Sequence, residues 1–156
     1  MALRARGLAR DERRTEAARP LETVNLAGQG AKRVHELSGG MLQRVALARA
    51  LAQDSQVLLM DEPFAALDAI TRDVLHEELI RLWGERGLTI VFVTHNVREA
   101  VRLSQRVVLM SSRPGRIVRE WKVGLSHPRT IEAPGVSALS AEITTVLRQE
   151  ISRHGR

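Results

Sequence analysis

Two acids close an apolar run in VLLMDEP, Val57 to Pro63, and a histidine closes a second in IVFVTH, Ile90 to His95. A carboxylate at the end of a buried strand can hold Mg²⁺, directly or through water, beside a triphosphate; Asp61 is the candidate. The next residue leaves the strand on its other side, so Glu62 can face a water molecule that Asp61 does not touch. A carboxylate aimed at water in line with a γ-phosphate is a general base, a role worth about 10²–10⁴ in rate. An imidazole at His95 can donate to the same γ-phosphate and hold the attacking water. Upstream, Ser38-Gly39-Gly40 stands just before a strongly periodic segment. The serine can cap a helix there, and the glycines let a phosphate approach backbone amides where the helix dipole adds roughly half a positive charge. Each feature alone also fits a plainer reading: acids in a solvated strand-end turn, a histidine bonded to a backbone carbonyl, an ordinary serine cap with a glycine turn.

These residues need elements to carry them. Met41, Val45, Ala48 and Leu51, with Leu42 and Leu47 beside them, predict a helix. Val57–Met60 and Leu88–Val93 read as parallel strands buried on both faces. Ile70 to Arg86 reads as an amphipathic helix with Ile70, Val74, Leu79, Leu82 and Trp83 on its apolar side, loosened at its end by Gly84 and Gly87. Arg98 to Ser104 is a short helix and Val107 to Met110 a third strand. Pro114-Gly115 turns the chain, Ile117 to Val123 returns with Trp121 on one face, and Ala138 to Ile151 is a terminal helix. Residues 1–35 read as helix, break, helix and loop: Asp11 caps a helix that Pro20 kinks or ends, and Gly28-Gln29-Gly30 is a loop. The middle of the chain alternates helix and strand, an α/β pattern with a parallel sheet. In such sheets ligands bind at the carboxyl ends of the strands, where Asp61, Glu62 and His95 fall.

The bulk composition narrows the possibilities. A chain of 156 residues suits one domain. It contains no cysteine, so disulfides and thiolate metal sites are out and a reducing cytosol is suitable. Met1 to Arg10 lacks the apolar stretch of a secretory signal, and the apolar runs fall far short of the ~20 residues of a membrane helix. The expectation is a soluble protein, or one held at a membrane by its partners. The net charge is +6 and the isoelectric point about 11.2, almost all of it from arginine. Those arginines interleave with acids along the whole chain, and tyrosine is absent. A solvated basic surface therefore accounts for the charge better than a base-stacking platform, and no nucleic-acid partner is expected.

In order, LSGGMLQR, VLLMDEP, ALD and VFVTH resemble the motifs of an ATP-binding cassette (ABC) ATPase. Leu37 to Gln43 resembles the signature motif, Val57 to Glu62 the Walker B strand and Ala66-Leu67-Asp68 the D-loop; His95 stands where the switch histidine stands. DEPFAALDAITR, FVTHNVREAVRLSQRVVLMSSRPGRIV and the later HPR at His127–Arg129 are most similar to importer ATPases for nitrate, sulfonate, taurine and related compounds. Ala65, Asn96, Val34 and Pro20 depart from that pattern. The resemblance implies a partial P-loop NTPase core with a parallel sheet, plus part of the helical subdomain. It divides the chain into 1–52, the subdomain part with the signature; 53–125, the second half of the ATPase core; and 126–156, a tail. It implies ATP and Mg²⁺ as cofactors, Ser38, Gly39, Gly40, Gln43 and Asp68 as nucleotide contacts, Asp61 as metal ligand, and Glu62 and His95 as catalytic residues. A second nucleotide-binding subunit, membrane permease subunits and, indirectly, a solute-binding protein are the implied partners, at the cytoplasmic face of the cell membrane.

One part of the cassette is not in these residues. The phosphate cradle G-x-x-x-x-G-K-[ST] needs a lysine, and neither Lys32 nor Lys122 has that context. The expectation is a chain that begins inside the helical subdomain, without P-loop or Q-loop. It would offer Ser38–Gly40 to nucleotide held by another cassette and hydrolyse no MgATP alone. Without a neighbouring P-loop strand, Val57–Met60 would keep an open edge and an uncovered apolar face. Two other classes stay open at this stage: a non-catalytic dimerisation or regulatory module, and a nucleic-acid-associated ATPase. SSRPGRIV and the lack of flanking coiled-coil heptads weigh against the latter.

Overall fold

The computed structural model describes residue 7, residues 9–53 and residues 55–154. The chain forms two compact units, Met1–Val93 and Thr94–Arg156.

The first unit starts with helix α1, Arg10–Thr23. Its N-cap is Ala9, whose N–H donates to Glu12 Oε2 at 2.8 Å. Asp11 thus lies within the first turn and is not the cap; its side chain is outside the described residues. Pro20 does not break the helix, contrary to expectation. Only one turn follows it, and the chain then buries Val24 and Leu26 almost completely, an anchorage that outweighs one lost hydrogen bond. Arg44 fastens the same segment by donating to the Asn25 carbonyl at 3.1 Å. Gly28, at φ 72°, leads into a short 3-10 turn over Gln29–Ala31. Helix α2, Gly39–Leu51, buries Leu47, Ala48 and Leu51 and leaves Leu42 outside.

Strand β1, Val57–Asp61, and strand β2, Thr89–Val93, pair in parallel with Val57 beside Thr89 and Asp61 beside Val93. Helix α3, Ala69–Arg86, connects them and stops at Gly87, whose φ of 62° is the left-handed value glycine tolerates. The apolar side of α3 agrees with expectation at Leu79 and Leu82 but differs in its first two turns. Leu75, His76, Leu79 and Leu82 are buried, whereas Ile70 is 79% exposed and Val74 faces outward. Phe64 sets this phase: it is buried and meets the His76 ring edge-on, centroids 4.5 Å apart. The strands also differ from double burial. Leu58 is buried, but Leu59 is 76% exposed and Val57, Val91 and Val93 are open as well. Period-2 alternation places these side chains together on one face of the strand pair, so within the first unit that face is apolar and open.

The second unit contains α4, Val97–Leu103; β3, Arg106–Met110; β4, Ile117–Lys122; and α5, Pro134–His154. The third strand does not join a parallel sheet: β3 pairs antiparallel with β4, Val107 beside Trp121. The turn between them is built by Ser111, whose Oγ accepts from Arg116 N–H at 3.0 Å and donates to the Pro114 carbonyl at 2.9 Å. Val101, Val107, Trp121, Val123, Val136 and Ile143 form the core. Glu142 Oε1 accepts from both the Trp121 indole and Arg119, each at 2.9 Å.

Candidate functional site

Ser38 caps α2 as its sequence foretells. Its backbone is extended and its Oγ accepts from Met41 N–H at 3.3 Å. Ser38 and Gly39 are exposed, so the first amides of α2 face outward at the positive end of the helix dipole. The two glycines are there for different reasons. A Cβ on Gly39 would meet nothing within 4 Å, so that position is open to an approaching ligand. A Cβ on Gly40 would lie 3.3 Å from the Ala66 carbonyl and 3.6 Å from Leu67 Cδ2. Gly40 therefore permits α2 to press against the segment after β1, a contact within this chain.

That segment carries the acids. Asp61 ends β1 and is exposed; Glu62 follows it and is half-buried. Glu62 has φ 45°, a left-handed backbone uncommon outside glycine and asparagine. It also precedes Pro63, a position that ordinarily holds extended backbone. Neighbours fix it: Glu62 N–H donates to the Val93 carbonyl at 2.9 Å, extending the β1–β2 ladder. Its own carbonyl accepts from Ala65 N–H at 3.3 Å and from Gln43 Nε2. The other end of the same amide, Gln43 Oε1, accepts from Ala66 N–H at 3.1 Å. Gln43 thus spends its amide on the turn that carries Glu62. Buried Phe64 and Leu67 then anchor the chain up to Asp68. Asp68 caps α3, accepting Thr71 N–H at 2.9 Å, and that donor, with the Thr71 hydroxyl, holds its carboxyl below the ordinary carboxylate range. Ser38, Gly39, Gly40, Gln43, Asp61, Glu62 and Asp68 all belong to the first unit.

His95 belongs to the second unit, exposed between Thr94 and Asn96. Its flanks are ordered. Asn96 caps α4, with Oδ1 accepting from Glu99 N–H at 3.2 Å. Thr94 Oγ1 donates to buried Glu99 at 2.7 Å and accepts from Asn96 N–H at 3.1 Å. At the far end of α4, buried Arg129 donates to the carbonyls of Val101 at 2.8 Å and Ser104 at 2.7 Å. Burial pushes the Arg129 guanidinium below its usual pKa.

Among the described residues no cluster of three or more histidines, cysteines, aspartates or glutamates could cage a metal. One exposed carboxylate at a strand end suits Mg²⁺ that arrives bound to phosphates, since this ion keeps waters and takes one or two protein carboxylates. A concave region lined by Thr15, Arg19, Leu51, Gln56 and Arg86 shares no residue with the candidate site.

The ABC transporter family model matches residues 2–65. An uncharacterized ABC transporter ATP-binding protein of Methanocaldococcus jannaschii is 44% identical over 149 residues, covering 96% of this chain and 56% of the relative. The chain is thus similar to ABC transporter ATP-binding proteins over nearly its whole length. Among these, the taurine import ATP-binding protein of Chromobacterium violaceum is 45% identical, covering 90% of this chain and 57% of its own length. The aliphatic sulfonates import ATP-binding protein of a Bacillus thuringiensis strain is 46% identical over 123 residues, 79% of this chain and 49% of that protein. A dimeric bacterial ABC transporter cassette of known structure superposes with a TM-score of 0.68 at 37% identity, covering 74% of this chain and 49% of the cassette. The same cassette has been seen in a post-hydrolysis state with ADP and phosphate. The chain spans about half the length of the curated relatives it matches. Sequence reading missed the Gln43 bridge, the left-handed Glu62 and the Arg129 cap; of the three, only Arg129 had a signal, the HPR motif.

Proposed function

We propose that this chain contributes part of the ATP-hydrolysing subunit of an ABC importer for taurine, an aliphatic sulfonate or a related small solute such as nitrate. The observation that carries the reading is the identity of 45% and 46% to taurine and aliphatic sulfonate import ATP-binding proteins over most of the chain. The open end of α2 and the strand-end acids support it.

Glu62 is the general base: its carboxylate takes the proton as the water oxygen bonds to the γ-phosphorus. The bond from that phosphorus to the β–γ bridging oxygen breaks, and the electron pair leaves with ADP. Asp61 would hold Mg²⁺, which when bound neutralises charge on the β- and γ-phosphates. His95 is the hydrogen-bond donor to the γ-phosphate. The Ser38–Gly39 end of α2 receives nucleotide held by a second nucleotide-binding subunit, and Asp68 lies on the same contact. Gln43, counted above among the nucleotide contacts, acts through the turn it bridges. The phosphate cradle comes from outside these 156 residues, because none of them forms G-x-x-x-x-G-K-[ST]. Among the described residues no helix is long and apolar enough to cross a membrane. The resemblance to import ATP-binding proteins supports permease subunits that hold the assembly at the cytoplasmic face, with a solute-binding protein acting only through them.

The test is association of the purified chain with an intact taurine- or sulfonate-import cassette, read by size-exclusion chromatography with light scattering. The expected complex requires MgATP and is lost in Ser38→Glu, while the chain alone shows no measurable ATP hydrolysis. Association indifferent to both MgATP and Ser38→Glu would refute the reading. Turnover by the chain alone that vanishes in Glu62→Gln would refute the missing cradle.

A further inference from the structure

The backbone of Glu62 poses a question that its proposed chemistry does not answer: what keeps a non-glycine residue ahead of a proline at φ 45°? Such conformations persist only where the surroundings over-determine them. The β1–β2 ladder fixes the N–H side through Val93. On the carbonyl side, the fixing group from outside the turn is Gln43. Its Nε2 donates to the Glu62 carbonyl and its Oε1 accepts from Ala66 N–H, so one planar amide clamps both ends of the Glu62–Ala66 turn. Gly40, three residues earlier and so on the same side of α2, has no side chain to hold the helix off: a Cβ there would sit a tight 3.3 Å from the Ala66 carbonyl. The first turn of α2 therefore braces the Glu62 turn at two points.

We propose that Gln43 is a positioning residue for Glu62: its bidentate amide holds the turn in the conformation that sets where the Glu62 carboxylate is carried. The end of α2 that would meet nucleotide and the acid that would activate water are then parts of one braced unit. The catalytic meaning of this coupling rests on the reading of Glu62 as the base; the positioning itself does not.

Residue-resolved amide hydrogen exchange on the 156-residue chain tests it. Gln43→Met keeps the length and removes both hydrogen bonds. It is expected to speed exchange at the Glu62 and Ala66 amides about tenfold relative to those of α3, the order that loss of such bonds implies. Gln43→Glu keeps the acceptor for Ala66 N–H and loses the donor to the Glu62 carbonyl, so Glu62 should be affected more than Ala66. The discriminating background is Glu62→Gly, because glycine holds the left-handed conformation without help. There Gln43→Met should change exchange at the residue-62 amide by no more than about twofold, while Ala66, which loses its acceptor in either background, still rises; that rescue at residue 62 is one a merely structural glutamine would not give. Unchanged exchange in Gln43→Met, or an equal rise at residue 62 in the glycine background, overturns the proposal. If Gln43→Met does not fold, folding restored by Glu62→Gly supports it and continued failure overturns it. No readout here is catalytic, so hydrolysis by an assembled subunit that ignored Glu62→Gln would sink the base assignment and leave the positioning standing.

Discussion

Replacing Arg129 should strongly destabilise the second unit. Arg129 is only 6% exposed, and the acceptors its guanidinium serves are backbone carbonyls: Val101 at 2.8 Å, Ser104 at 2.7 Å, Leu125 at 3.0 Å from Nε and, more loosely, Arg102 at 3.4 Å. The first two lie at the carboxyl end of α4, where a cation also opposes the helix dipole. A hydrogen bond to a charged group nets about 1.5–3 kcal/mol, so the three closer acceptors suggest a gross ~4–9 kcal/mol. Burying the charge costs several kcal/mol of that. A net loss of ~3–4 kcal/mol is expected for Arg129→Met, which keeps the stem and removes every donor. Arg129→Lys keeps the charge but not the fork and should lose ~1–2 kcal/mol. The sequence holds two tryptophans, and Trp121 is buried in this unit. In a Trp83→Phe background, Trp121 fluorescence therefore reports urea unfolding of the second unit alone. With a urea slope of ~1 kcal/mol/M for a small unit, the midpoint should fall by ~3 M or more in Arg129→Met. A fall below ~0.5 M, or equal falls for methionine and lysine, would show that the carbonyl cap does not hold this unit together.

Three further outcomes follow from particular contacts. Burial, and then the nearby charge of Arg129, lower the His127 pKa from its ordinary 6.5. The unfolded chain then binds a proton that the folded one refuses, so stability is full above about pH 6.5 and declines as pH falls below it. The Trp121 midpoint should show that decline, and His127→Gln should flatten it. Leu59→Lys places charge on the open β1–β2 face at a site already 76% exposed; it should change stability by less than ~0.5 kcal/mol while suppressing light-scattering aggregation. Ser38→Ala removes a long, exposed cap bond and should cost about 0.5 kcal/mol in urea unfolding of the first unit, the low end for such caps.

Local chemistry was the legible part of this chain. The serine cap, the strand-end acids, the β1–β2 crossover and the Pro114-Gly115 return all rest on neighbours a few residues apart, where sequence carries the information. Pro20 was misjudged because the cost of its missing hydrogen bond is local but the burial of Val24 and Leu26 that offsets it is not. The apolar side of α3 in its first two turns was misjudged for a related reason. Two apolar stripes overlap on that helix, one through Ile70 and Val74 and one through Leu75, Leu79 and Leu82, and periodicity alone does not say which meets Phe64. The Gln43 bridge and the Arg129 cap join side chains to carbonyls far along the chain; no spacing rule reaches that distance. The left-handed Glu62 had no signal at all, since a glutamate before proline ordinarily reads as extended.

The order of synthesis gives the Arg129 cap a consequence in time. The helix it closes is complete at Leu103, but its last carbonyls wait for a residue made much later, and the core beside it waits longer still for Val136 and Ile143. A chain emerging from the ribosome can close the β1–β2 crossover once Val93 is out, whereas the second unit has only separated pieces of its core until α5 appears. Contacts so distant in sequence slow folding, and an exposed partial core invites aggregation. A pause in translation between Met110 and Pro134 would thus prolong the interval in which the chain has a formed first unit and an unfinished second one.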